Sequence, residues 1–146
     1  MTIRLLSKND LPRLLAIENA VHIVPWARDT FLVCFQAGCH GFVAVNEADE
    51  VIGFILATIG AGESHILNLC VDRGHQRQGH AKALLQRVEA EAKGQGVQIV
   101  HLEVRRSNTR AITLYEHQGY QQIGERKDYY PALSGNEDAL LFAKML

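Results

Sequence analysis

The residues Gln76-Arg77-Gln78-Gly79-His80-Ala81 stand between an apolar run, Ile66-Leu67-Asn68-Leu69-Cys70-Val71, and a segment whose apolar positions Ala81, Leu84, Leu85, Val88 and Ala92 recur at i, i+3, i+4, i+7 and i+11. The first pattern reads as a strand and the second as an amphipathic helix, so the residues between them form a loop opening onto a helix N-terminus. Unpaired backbone N–H groups and the positive end of the helix dipole converge there, and Gly79 places no Cβ between the main chain and a ligand. Such a junction suits a phosphate or pyrophosphate. A single glycine in a loop is also an ordinary turn residue, so the loop acquires chemical meaning only together with residues further along the chain.

In the second half of the chain, Leu102-Glu103-Val104-Arg105 alternates, which puts Glu103 on one face with His101 and Arg105, opposite Leu102 and Val104. Alone, that carboxylate reads as half of a surface ion pair. Tyr115, one turn beyond Ala111 and Ile112, reads alone as a core aromatic with its hydroxyl at the rim, and Asn108 as a helix N-cap. Arg105, Arg106 and Arg110 flank the same region, facing either a phosphate or solvent. The three cysteines, Cys34, Cys39 and Cys70, have no Cys-x-x-Cys spacing and no His–Asp relay spaced to activate a thiol, which disfavours covalent catalysis. The seven histidines are scattered without a ligand pattern, so no metal is expected.

These residues need a frame. Thr2 to Leu6 reads as a first strand, and Ser7 or Asn9 caps a helix reaching about Ala20, with Pro12 in its first turn and Leu11, Leu14, Leu15 and Glu18 near its faces. A second short helix covers Arg28 to Ala37 and stops at Gly38. Gly41 to Asn46 and Val51 to Ile59 form a hairpin, Gly60-Ala61-Gly62 breaks it, and His65 to Val71 is the next strand. The helix from Ala81 to about Lys93 is stopped by Gly94 and Gly96, and Val97 to Val104 returns as a parallel strand. Asn108 to His117 is the last helix. Gly119 to Gly124 and Ala139 to Met145 are the final strands, with Tyr129-Tyr130-Pro131 in the loop between them, either lining a peptide groove or covering a sheet edge. The expected class is α/β: a mixed central sheet with helices on both faces.

With 146 residues and 47% hydrophobic content, the chain holds one substantial core, so residues 1–146 are expected to form a single domain. A net charge of −1 and a pI near 6.6 provide no basic field for nucleic acid or an anionic membrane. No segment approaches the length of a membrane span, and the odd cysteine count fits a reducing cytosol, so a soluble cytoplasmic protein is expected.

The loop resembles the Gln/Arg-x-x-Gly-x-Gly/Ala signature of the GCN5-related N-acetyltransferases. The likeness extends through Leu102-Glu103-Val104-Arg105, Asn108, and Ala111-Ile112-x-Leu114-Tyr115-Glu116-x-x-Gly119-Tyr120. It implies that Arg77, Gln78, Gly79, His80, Ala81 and Lys82 hold the pyrophosphate of acetyl-CoA, that backbone groups of Leu69, Cys70 and Val71 pair with its pantetheine and acetyl carbonyl, and that Asn108 contacts its arm. It also implies Glu103 as general base and Tyr115 as the acid that protonates the departing sulfur. His80 departs from the usual aliphatic residue at its position. Pro25-Trp26, Tyr129-Tyr130-Pro131 and Glu137-Asp138-Ala139 are similar to runs in the bacterial enzymes that acetylate the N-terminal alanine of a ribosomal small-subunit protein. The resemblance therefore implies a protein N-terminus as acceptor and a monomer or weak oligomer. Acetylation of another amine, on a small molecule or a lysine, and a CoA-binding sensor without turnover are the alternatives.

Overall fold

Val51 to Ala57 are all buried, which only a strand covered on both faces allows. That strand, β3 (Val51–Gly60), lies in a seven-stranded sheet with β1 (Thr2–Leu5), β2 (His40–Val45), β4 (Glu63–Val71), β5 (Ile99–Arg105), β6 (Gln121–Ala132) and β7 (Gly135–Met145), in the order β1-β2-β3-β4-β5-β7-β6. The computed structural model describes residues 1–132 and 135–146. Only β4 and β5 run parallel, and the other neighbours are antiparallel. The sheet is therefore mixed, as the sequence leads one to expect.

Helices α1 (Leu11–Val21) and α2 (Arg28–Gln36) cover one face, where Leu14, Ile17 and Phe31 meet Phe54, Leu56 and Cys70. Helices α3 (His80–Gly94) and α4 (Thr109–His117) cover the other, where Leu84, Leu85, Val88 and Tyr115 meet Ile55, Ile66, Leu102 and Phe142. At the first helical entry Ser7 is the cap rather than Asn9: its Oγ accepts from the Asn9 N–H at 3.3 Å. The Asp10 carboxylate accepts from the Ser7 N–H at 2.8 Å and from both terminal nitrogens of Arg4. A single 3-10 turn, Lys8–Asp10, results, and α1 begins only after it.

One irregularity shapes the site. Leu56 pairs with Asn68 and Ala57 with Ile66, so Leu67 is an extra residue on β4. Strand side chains alternate, and Ile66 and Cys70 would share a face in a regular strand. Here Ile66 packs with the α3 core and Cys70 with the α1 core. The bulge flips the alternation and bends the strand. Pairing between β4 and β5 runs from Glu63↔Ile99 to Ile66↔Leu102 and goes no further, although both strands continue. The sheet opens there.

Two boundaries differ from the sequence expectation. Gly94 lies within α3, and it is Gly96, at φ +82°, that turns the chain out, leaving β5 to start at Ile99 rather than Val97. The last two strands are much longer than expected, and Tyr129-Tyr130-Pro131 lies on β6, not in a loop. Ile123 is an extra residue opposite β7, and between the pairs Arg126↔Ala139 and Tyr130↔Glu137 residues 127–129 face Asp138 alone. These irregularities erase the period of two. As the outermost strand, β6 leaves Pro131 free of any obligation to donate to a second neighbour.

Candidate active site

Strand β4 leads through a 3-10 turn, Arg73–His75, into the loop before α3. Arg77 (φ +64°) and Gly79 (φ +84°) both adopt left-handed backbone, and Gly79 is the N-cap of α3. A Cβ built on Gly79 would meet nothing within 4 Å, so the main chain there faces open space. The first-turn N–H groups of α3 have no intrahelical partners. Gln76 fastens the loop: its Nε2 donates to the Val71 carbonyl at 3.0 Å, and its Oε1 accepts from Arg110 of α4.

In front of this loop lies a groove of about 800 Å³, lined by Leu69, Cys70 and Val71 of β4, by Arg77, Gly79, His80, Ala81 and Lys82, and by Asn108, Arg110, Ala111 and Tyr115 of the α4 region. These include every residue the resemblance implies for the acetyl-CoA side except Gln78. The Gln78 side chain turns back, its Oε1 facing His80 Nε2 at 3.1 Å. His80 is 8% exposed, and its Nδ1 is buried without a partner among the described residues. Burial, with His75 nearby, pushes its pKa down. Asn108 caps α4, Oδ1 accepting from the Ala111 N–H at 3.2 Å.

A second groove, about 290 Å³, fills the opening between β4 and β5. Leu67, Asn68 and Leu69 line one side and Glu103, Val104 and Arg105 the other, with Glu18, His22 and Trp26 beneath and Tyr130 and Pro131 above. The two grooves share His22, Leu69, Arg105, Asn108, Ala111 and Tyr115, so they meet beside the Tyr115 ring. Tyr115 is 7% exposed and stacks edge-on against Tyr120 at 5.8 Å. Burial pushes its hydroxyl pKa up, so it stays protonated. Glu103, 18% exposed, faces the second groove, with the Arg126 guanidinium 3.6 Å away.

Of the three arginines left open by the sequence, Arg105 and Arg106 turn to carboxylates. Arg105 donates to Glu137 and to the Pro131 carbonyl, and its guanidinium lies 4.6 Å from the Tyr130 ring centre. Arg106 pairs with Glu125 and Asp138. They hold the β6–β7 arm over the opening. Only Arg110 reaches the loop. Burial pushes the Cys70 and Cys34 thiols up, so neither is a poised thiolate.

Sequence reasoning missed a buried polar cluster under the second groove. Glu18 is 1% exposed, and its two oxygens accept from the Trp26 N–H and from Asn68 Nδ2, each at 2.9 Å. The signal was present. Leu11, Leu14, Leu15 and Glu18 stand at i, i+3, i+4 and i+7, which places a carboxylate on an apolar stripe. Glu18, His22 and Cys70 bring ligand-type atoms within 4.8 Å of one another, but hydrogen bonds already occupy both Glu18 oxygens.

A parallel strand pair that parts at a bulge, with a glycine loop and helix N-terminus beyond it, thus frames two grooves that meet beside Tyr115. The chain belongs to the acetyltransferase (GNAT) family, whose model matches residues 11–120. It is 38% identical over 140 residues to the ribosomal protein bS18-alanine N-acetyltransferase of Haemophilus ducreyi, covering 95% of this chain and 96% of that protein. The crystal structure of the ribosomal-protein-S18-alanine N-acetyltransferase from Escherichia coli superposes with a TM-score of 0.92 at 35% identity, over 99% of this chain and 92% of that one. Arabidopsis thaliana NAA60 in complex with acetyl-CoA shares the fold, with a TM-score of 0.89 at 23% identity, over 99% of this chain and 98% of that one.

Proposed function

We propose that the chain, as one domain over residues 1–146, transfers the acetyl group of acetyl-CoA to the N-terminal alanine α-amine of a ribosomal small-subunit protein in the cytoplasm. The observation that carries the chemistry is the meeting of two grooves beside Tyr115, with a phosphate-type loop on one and Glu103 on the other. The acceptor is taken from the relatives, which are named bS18-alanine N-acetyltransferases.

The residues divide the work. The N–H groups of the loop and first turn of α3 hold the pyrophosphate, which the open space before Gly79 admits. Asn108 contacts the CoA arm, and Leu69, Cys70 and Val71, on the edge of β4 that β5 has left, offer backbone groups to pantetheine and the acetyl carbonyl. Bound acetyl-CoA supplies an activated acyl carbon and a thiol leaving group. Glu103 takes a proton from the acceptor ammonium, directly or through water. An α-ammonium has a pKa of about 7.7–8.0, so this step is undemanding. As the amine nitrogen forms its bond to the acyl carbon and the C–S bond breaks, Tyr115 gives its proton to the sulfur so that a thiol and not a thiolate departs, and the second proton shed by the nitrogen restores the Tyr115 hydroxyl, leaving a neutral amide. Every step is served by side chains and backbone, with no metal.

The test is a competition among a peptide with a free N-terminal alanine, the same peptide N-terminally blocked but carrying a lysine, and a polyamine, each with acetyl-CoA. Mass spectrometry should place the acetyl group on the α-amine. Preference for the blocked peptide or the polyamine overturns the acceptor, and binding of acetyl-CoA without transfer to any amine overturns the enzymatic reading in favour of a sensor.

A further inference from the structure

The buried cluster beneath the second groove holds a histidine ring at the place where the grooves meet. Glu18 stands on the last turn of α1, and its carboxylate takes one donor from the segment joining α1 to α2, the Trp26 N–H, and one from β4, Asn68 Nδ2. With its amide nitrogen turned to Glu18, Asn68 presents Oδ1 to His22 Nε2 at 3.3 Å. An amide oxygen only accepts, so Nε2 must carry the hydrogen. The lone pair of neutral His22 is thereby assigned to Nδ1, which has no hydrogen-bond partner among the described residues. The ring is 32% exposed and lines both grooves. Asn68 faces Glu18 and His22 only because the Leu67 bulge turns this part of β4 toward α1.

We propose that His22 orients the acceptor amine, its Nδ1 accepting one N–H of the attacking nitrogen, and that Glu18 and Asn68 are positioning residues, whose oxygens at 3.5 and 3.3 Å from Nε2 fix the other side of the ring. The inference rests on the function proposed above and names a further residue for it. A neutral primary amine has two N–H bonds and one lone pair. Acceptors on both N–H bonds, Glu103 on one side and His22 Nδ1 on the other, leave the lone pair a single direction, toward the acyl carbon. The proton balance is unchanged: Glu103 still removes the ammonium proton, Tyr115 still protonates the sulfur and recovers a proton from the nitrogen, and His22 transfers none.

The experiment compares His22→Ala, His22→Gln and His22→Asn with the wild type, using acetyl-CoA and the peptide with a free N-terminal alanine. A glutamine reaches the position of Nε2, keeps the contact with Asn68 and has no acceptor at the Nδ1 position. An asparagine places its amide oxygen at the Nδ1 position and gives up Asn68. The proposal expects Ala and Gln to lower kcat by roughly 10- to 100-fold, the scale of a misaimed reactant. Asn should recover most of that loss, with acetyl-CoA affinity and melting temperature retained throughout. Recovery by Gln and not by Asn means that His22 only ties the loop to Asn68, which overturns the proposal, as does an equal loss or no loss in all three. If the wild type acetylates a lysine or a polyamine instead, the acceptor reading fails while the same ordering on that amine still decides the role of His22. A wild type that transfers to no amine overturns both.

Discussion

Ile66 and Leu102 are the last residues at which β4 and β5 pair, and Leu67, the residue immediately after Ile66, is the one with no counterpart on β3. The bulge and the parting of the strands are one event. Beyond it, Glu103 and Asn68 face each other across an opening rather than across a hydrogen-bonded ladder.

Glu103→Gln should lower kcat by roughly 10²- to 10⁴-fold near neutral pH and leave acetyl-CoA affinity unchanged. Raising the pH through the α-amine range of about 7.7–8.0 should restore part of the loss, since the acceptor then arrives deprotonated. The readout is a pH–rate profile with the alanine peptide, and full activity in the variant at pH 7 would leave Glu103 as no more than the partner of Arg126.

Tyr115→Phe should slow the reaction without rescue by alkaline pH, because the missing proton belongs to the leaving group and not to the amine. In the wild type, burial raises the Tyr115 pKa above the ordinary value of about 10, so the donor form persists and activity should not decline toward pH 9 on its account. A profile in which Tyr115→Phe and Glu103→Gln recover together would show that the two groups do not have separate roles.

Gly79→Val is expected to abolish most of the thermal stabilisation by acetyl-CoA, which for the wild type is about 2.7 kcal/mol at a ligand concentration of 100 Kd. A Cβ at Gly79 meets no protein atom within 4 Å, so the added bulk is directed at the ligand's approach. Gly79→Ala separates the causes, since it carries the cost of φ +84°, about 1–2 kcal/mol, with little bulk. If the two variants bind acetyl-CoA equally well, close backbone approach at Gly79 is not needed.

Asp10 links stability to acid. Its hydrogen bonds with Arg4 hold its carboxyl below the usual range against the opposing effect of burial. A group with a depressed folded pKa contributes fully above its unfolded value, about 3.9, and that contribution is lost as pH falls through the folded value. Chemical denaturation of the wild type and Asp10→Asn should therefore differ at pH 7, and the gap should close below about pH 4. A gap that persists undiminished at acid pH would mean that the carboxylate charge contributes nothing.

The architecture was legible where periodicity was clean. Ala81 to Ala92 declares α3, and Gly79 with the apolar run before it declares the loop. The β6–β7 arm was not legible, because Ile123 and residues 127–129 interrupt alternation and most β6 side chains are exposed. The partnership of Glu18, Asn68 and His22 was also hidden, since Glu18 and Asn68 lie 50 positions apart and meet only after β4 has bent. Of the arginines, composition revealed a cluster, but only the fold assigned Arg105 and Arg106 to carboxylates of β6 and β7 and Arg110 to Gln76.

Leu67 also makes chain length, rather than side-chain identity, the sensitive variable in β4. The strand is two phrases read out of phase, Glu63 to Ile66 and Asn68 to Val71, with one residue as the rest between them. Deleting a single codon there would bring the phrases into phase. Ile66 and Leu69 would still face α3 and Asn68 and Cys70 still face α1, but without the bend, and β4 could run on alongside β5. The deletion would remove an exposed leucine from the surface and seam shut the space where two substrates have to meet.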